Sequence, residues 1–284
     1  FTLAGISARY ALKKYTVKEF MVHRVKKLLF PFLFGLAALV PFQTLYARKF
    51  FAHYEGGMIE NLKYFFTHLT DFSGYDGAFT PGHLWFILYL FLISIMALVL
   101  FHFLPYERIS KRVEQVPVFG ILCFFIPIWM MYYLGNFGGY SIGKNFALYL
   151  TGYYVLSNDL VMEKLEKNIK WLSGLCFIET IALTVLYYKF SYYGDLWINF
   201  VGWNWILFLL VLAKKFLNKF TGFTRYFNRA SYPVYILHQS ILVVLAYYVV
   251  KNITGIFLQA VCICMGSFGL TILAYHLLRW ILFP

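Results

Sequence analysis

Ser231, Tyr235 and His238 recur at helical spacing in the stretch Arg225–Val250, with Gln239 beside Tyr235, so polar and titratable groups share one face of an otherwise apolar run. Such groups are costly in lipid, and a helix that carries them turns them toward protein or a watery cavity. An imidazole with an ordinary pKa near 6.5 is the usual proton acceptor at neutral pH, which makes His238 a catalytic candidate; a hydrogen-bonded packing histidine is the alternative. Glu179 is the one acid inside an apolar span, where a charged carboxylate costs about 2.5 to 3.5 kcal/mol. It either partners a histidine or arginine or is protonated and bonded to a neighbouring helix. His83 follows Pro81-Gly82 and precedes Leu84-Trp85-Phe86 at the mouth of a span, where an acceptor could meet a base or where an interfacial aromatic belt would simply hold it.

Cations come in clusters. Arg24 and Lys27, with Lys26 between them, and the run from Lys214 to Arg229, including Arg225 and Arg229, would suit the phosphates of a nucleotide-bearing donor. The tendency of cytoplasmic loops to be basic accounts for the same residues. Asp71 and Asp76, interleaved with Phe72, Tyr75 and Phe79, could hold a sugar by hydrogen bonds and stacking, or be solvated loop residues. Cys123, Cys176, Cys262 and Cys264 all fall in apolar runs and form neither a disulfide framework nor a zinc motif. A Gly-rich phosphate loop, a serine nucleophile elbow and a spaced His/Glu metal motif are absent from the sequence.

The elements that must position these groups follow from composition. Of 284 residues, 61% are hydrophobic and 22% aromatic, while 13% are charged where a soluble protein carries roughly a quarter. The fold class expected is all-α: a polytopic transmembrane helix bundle filling residues 1–284 as a single domain. Eight complete spans are read at about 28–46, 83–104, 118–135, 142–158, 171–188, 197–213, 232–250 and 254–277. The net charge of +13 is spread through the gaps between apolar runs rather than gathered on one surface, which argues against nucleic acid as a partner. Placing the 9–27 loop and the C-terminus in the cytoplasm puts most Lys and Arg inside, so the sidedness is self-consistent. Residues 9–27 read as a cytoplasmic loop or an amphipathic helix at the lipid surface, 47–82 as an external loop with an interfacial helix near 58–69, and 214–229 as a basic linker. The chain opens on Phe1, and its first residues read as the tail of a hydrophobic segment whose start lies upstream.

Four segments carry a resemblance. Leu3-Ala-Gly-Ile-Ser-Ala-Arg-Tyr-Ala-Leu12, Arg24-x-x-Lys27-Leu-Leu-Phe-Pro31, Pro81-Gly-His-Leu-Trp-Phe-Ile-Leu88 and Asn228-Arg-Ala-Ser-Tyr-Pro-Val-Tyr-Ile-Leu-His-Gln239 resemble, in order, the acyltransferase-3 family of integral membrane O-acyltransferases. Within that family, the first and third are similar to the branch that includes the glucan biosynthesis protein C type. The resemblance implies about ten spans in the intact protein, with an Arg-and-His catalytic motif in a first helix that this stretch does not contain. The main base is then expected upstream of Phe1, this segment alone is expected to be inactive, and His238, Glu179 and His83 become supporting residues. Arg24 and Lys27 match the family's basic cytoplasmic pair, with Lys27 standing where arginine is frequent.

The activity implied is transfer of an acyl group, acetyl or succinyl, from acyl-CoA to a hydroxyl of a cell-envelope glycan or other carbohydrate in a bacterial plasma membrane. No cofactor is expected to bind tightly; acyl-CoA is the donor substrate, membrane lipid surrounds the protein, and a second copy of the chain is left open as a partner. The alternative reading is a proton-coupled carrier or flippase for glycan or acyl groups, in which Glu179 and His238 relay protons. A non-catalytic scaffold would leave the polar face around His238 without a reason.

Overall fold

The computed structural model describes residues 1–137, 140–191 and 194–282. It is almost wholly helical. In chain order the helices are α1 (Thr2–Lys14), α2 (Val17–Arg24), α3 (Phe30–Ala38), α4 (Val40–Phe51), α5 (Met58–Thr67), α6 (Trp85–Phe103), α7 (Tyr106–Gln115), α8 (Val118–Leu122), α9 (Phe125–Met131), α10 (Ile142–Thr151), α11 (Asp159–Lys167), α12 (Ile169–Phe190), α13 (Asp195–Leu212), α14 (Gly222–Asn252) and α15 (Ile256–Leu282). Wide π-type turns occupy Val25–Leu29, Gly152–Leu156 and Ala213–Leu217, and a 3-10 turn, Gly82–Leu84, leads into α6. Two residue pairs, Asn136–Phe137 and Tyr140–Ser141, form a short antiparallel ladder.

Among the described residues, six helical stretches are long and apolar enough to cross a membrane: Val17–Phe51, Gly82–Phe103, Ile169–Phe190, Asp195–Leu217, Gly222–Asn252 and Ile256–Arg279. The chain is therefore a multi-pass integral membrane protein. The stretch read as a span over 118–135 is broken by a turn at Cys123–Phe124 between α8 and α9, and its apolar part, Val118–Tyr133, is shorter than the six. The one over 142–158 is α10 plus a π turn, ended by Asn158, whose side chain accepts from the backbone of Leu160 and Val161 to cap α11.

Two basic segments, one read as a loop or a surface helix and the other as a linker, are largely helical. Residues 9–27 lie on α1, on α2 and in the π turn after it. The buried face of α1 is the i, i+3 series Thr2, Gly5 and Ala8, so it packs against protein and is more than a surface helix. The basic linker ends early because Thr221 and Thr224 form a reciprocal capping box that starts α14 at Gly222, placing Arg225 and Arg229 on the helix that carries His238. Pro233 lies inside that helix.

The described chain separates into two compact units, residues 1–24 with 89–219 and residues 25–88 with 220–284. In the first, α1 crosses α10 and the following π turn with backbones almost touching. A Cβ on Gly5 would stand 2.0 Å from the Tyr149 carbonyl oxygen, and one on Gly152 would stand 2.1 Å from that of Thr2. Arg9 lies over the Tyr106 ring at 3.5 Å and pairs with Glu107 at 3.3 Å. In the second unit, α4 and α15 both pack on α14. Pro41 interrupts the long helix between α3 and α4, and at that break the Leu39 carbonyl accepts from Ser240 of α14 at 3.0 Å. Near the end of α4, Arg48 sits between the rings of Tyr54 and Tyr64, 4.0 and 4.2 Å from their centroids, tying α4 to α5 and to the segment between them.

Candidate functional site

The site assembles within the second unit, from α4, the turn at Gly82–Leu84 and the middle of α14. The histidines that the sequence presents as separate candidates are brought together: the rings of His83 and His238 have centroids 5.4 Å apart and planes at 87°. The Tyr235 ring completes a triangle with centroids 5.6 Å from His83 and 5.7 Å from His238, and its hydroxyl donates to the His83 carbonyl.

Hydrogen-bond partners assign different states to the two imidazoles. His83 Nε2 faces the Ile236 carbonyl at 3.1 Å, and a carbonyl only accepts, so Nε2 carries a proton. His83 Nδ1 is then the acceptor, 3.1 Å from the Gln43 amide nitrogen. That nitrogen also donates to Ser240 Oγ at 2.8 Å, and Ser240 donates onward to Leu39. The directions agree along the whole chain, and both ring nitrogens of His83 are committed. A glycine precedes it for a reason: Gly82 has φ +52, and a Cβ there would meet Gln43 Oε1 at 3.0 Å.

His238 is held from one side only. Its Nδ1 donates to the Tyr235 carbonyl at 2.7 Å, and among the described residues its Nε2 has no hydrogen-bond partner. In the neutral ring that places the lone pair on Nε2, in a half-buried position beside His83. The arrangement can accept a proton at one defined atom while the neighbouring imidazole stays fixed.

Glu179 lies in the other unit and, among the described residues, meets neither histidine nor arginine. It is 2% exposed, and its Oε2 accepts from Asn204 at 2.9 Å across α12 and α13. Of the cationic candidates, Arg225 and Arg229 are exposed near the start of α14, about 13 Å along the axis from His238 for the nearer one at 1.5 Å per residue. Arg24 is half-buried over the Phe20 ring at 4.6 Å, with the buried Tyr149 hydroxyl close by. Lys27 is exposed, and its carbonyl accepts from the Tyr232 hydroxyl of α14. Among the described residues no group of three His, Cys, Asp or Glu could hold a metal ion.

Gln43 and Ser240 escaped the sequence reading. Gln43 is an amide inside the run 28–46, and the rule that flagged Glu179, a costly polar group at membrane depth, applies to it equally. Ser240, two residues past His238, rather than Gln239 makes the link to α4.

Residues 1–276 match the family model described as an acyltransferase domain. No curated protein and no solved structure matches the chain.

Proposed function

The chain belongs to the acyltransferase-3 family of membrane acyltransferases, and from that premise we propose that it moves an acyl group from acyl-CoA to a hydroxyl of a cell-envelope glycan or other carbohydrate. The observation that carries this reading is the open Nε2 of His238, held at a defined orientation inside a membrane-spanning helix. In place of the supporting role that the resemblance implies for it, His238 here takes the acceptor hydroxyl's proton at Nε2 as that oxygen attacks the thioester carbonyl. The carbon–sulfur bond then breaks, and the departing thiolate of CoA takes up the proton. His83 does not exchange protons in this scheme, because both of its nitrogens are engaged; it is a positioning residue that forms one wall of the site.

Arg225 and Arg229 are on the same helix as His238, so the phosphates of a donor held at that end would leave its thioester to reach inward along α14. Lys27, in the same unit as these arginines, is a further cation for the nucleotide end of the donor, and Arg24 is carried as a donor contact by the family resemblance alone. The proposed sidedness follows from these clusters: the 9–27 segment and the C-terminus face the cytoplasm, where acyl-CoA resides.

The test is an acyl-transfer assay on the full-length protein in lipid nanodiscs, following product formation and CoA release, with His238→Ala and Arg24→Ala beside it. Acylated carbohydrate lost in both variants supports the reading. Movement of glycan or acyl groups across a vesicle with no product formed overturns it in favour of a carrier.

A further inference from the structure

Hydroxyls of α14 reach across to carbonyls at points where other helices begin or break. Tyr232 donates to the Lys27 carbonyl in the π turn Val25–Leu29, Tyr235 to the His83 carbonyl in the turn Gly82–Leu84, and Ser240 to the Leu39 carbonyl two residues before Pro41. All of these residues belong to one unit of the fold. The first bond has a cause in the sequence. Pro31 stands four residues after Lys27 and has no N–H to return to that carbonyl in α-helical register, so a donor from outside the helix serves it instead.

Tyr232, Tyr235 and His238 follow one another at a spacing of three, so they lie along one stripe of α14. From Tyr232 to His238 is about 9 Å of helix axis at 1.5 Å per residue. The Tyr235 ring is itself held in place, with Phe86 of α6 meeting it edge to face at 5.9 Å between centroids. One continuous helix therefore carries the His238 base and, through two phenols, holds the turn that bears Lys27 and the turn that bears His83. A phenol has few torsions and a bond at its tip, so it fixes a separation where a longer side chain would let it vary. The carbonyls it bonds belong to the two residues that the reaction uses as a donor cation and as a wall of the site.

We propose that Tyr232 and Tyr235 are positioning residues with separate tasks. Tyr232 sets where the turn carrying Lys27 presents its cation to the phosphates of the donor, and Tyr235 sets how far the His83 wall stands from His238. Resting on the acyl-CoA reading above, the proposal adds to it two residues that act through others, and it divides donor binding from the proton-transfer step along a single helix.

The experiment uses Tyr232→Phe and Tyr235→Phe, which remove one hydroxyl each and keep the ring, in full-length protein in nanodiscs. CoA affinity is read by titration, with empty nanodiscs as the control, and kcat by release of CoA from acetyl-CoA or succinyl-CoA with a glucan oligosaccharide as acceptor. Tyr232→Phe should weaken CoA binding by roughly three- to tenfold, the scale of one hydrogen bond, with kcat at saturating donor within about twofold. Tyr235→Phe should lower kcat by about tenfold or more, the scale of a displaced site wall, with CoA affinity within about twofold. In a Lys27→Ala background, Tyr232→Phe should have no further effect on CoA affinity, because the two act through one contact. A purely structural role would not produce this split. No change in either variant, losses of CoA affinity and kcat that are equal in both and track thermal stability, or additive effects of Tyr232→Phe and Lys27→Ala each overturn the assignment and leave the acyl-transfer reading standing. Wild-type protein that binds no CoA and releases none from either donor overturns that reading, and the assignment falls with it.

Discussion

His83 and His238 meet edge to face at 5.4 Å, yet one has both nitrogens engaged and the other keeps Nε2 open. That asymmetry separates a wall from a base, and it predicts unequal consequences. His238→Ala should lower kcat by about 10² to 10⁴, the usual worth of a general base, with donor KM little changed. His83→Ala should cost less in kcat and leave the pH dependence of the residual activity in place. Steady-state kinetics across pH check this; identical losses with identical pH profiles would remove the distinction.

Gln43 donates to two acceptors at once, His83 Nδ1 and Ser240 Oγ. Gln43→Leu leaves both without their donor in a buried setting, at a cost of about 1 to 3 kcal/mol. The expected outcome is a lower unfolding temperature in nanodiscs together with reduced kcat. A variant as stable as the wild type would mean that the network contributes little to holding α4 on α14.

Glu179 is buried against Asn204 in the unit that does not hold the two imidazoles. Glu179→Gln keeps the size and an acceptor for Asn204, so it should retain activity within about threefold. Glu179→Ala, which leaves Asn204 unbonded, should fall in thermal stability instead. Loss of transfer in the glutamine variant with stability intact would restore this carboxyl to the chemistry.

The crossing of α1 over α10 tolerates no side chain at its closest point. Gly5→Ala would place a methyl 2.0 Å from the Tyr149 carbonyl oxygen, so the helices must separate. A loss of about 1 to 3 kcal/mol is expected, the range for overpacking, read as a fall in unfolding temperature. Gly174→Ala, where an added Cβ meets nothing within 4 Å, is the matched control and should be silent.

Asp71 lies in the segment after α5, where its carboxylate accepts from the Ser73 backbone N–H at 2.9 Å. That bond holds its pKa below the ordinary carboxylate value. Because the folded value is the lower one, the turn's contribution is fully present above the unfolded pKa, about 3.9, and is lost as pH falls through the folded value. Titration of Asp71 followed by NMR should show the depressed midpoint, and Ser73→Pro, which removes the donor, should bring it back toward normal.

Much of this protein is legible in the chain itself. Runs such as Trp85–Phe103 are apolar on every face, and lipid is the solvent in which such helices are stable, so the all-α membrane architecture follows from composition and length. His238 and Glu179 stand out as polar groups at membrane depth by the same reasoning. Loops and linkers were less legible, because a basic segment reads alike whether solvated or helical; the capping box at Thr221 and the buried face of α1 turned two of them into helices. What tertiary structure alone decided is partnership. His83 and Ile236, 153 positions apart, are bonded because α14 packs beside the turn at Gly82, and no local periodicity records that. Packing of α4 on α14 brought Gln43 to Ser240, and in the other unit packing of α12 on α13 brought Glu179 to Asn204. A side chain's type shows that it must find a partner, while which partner it finds depends on how separate helices pack.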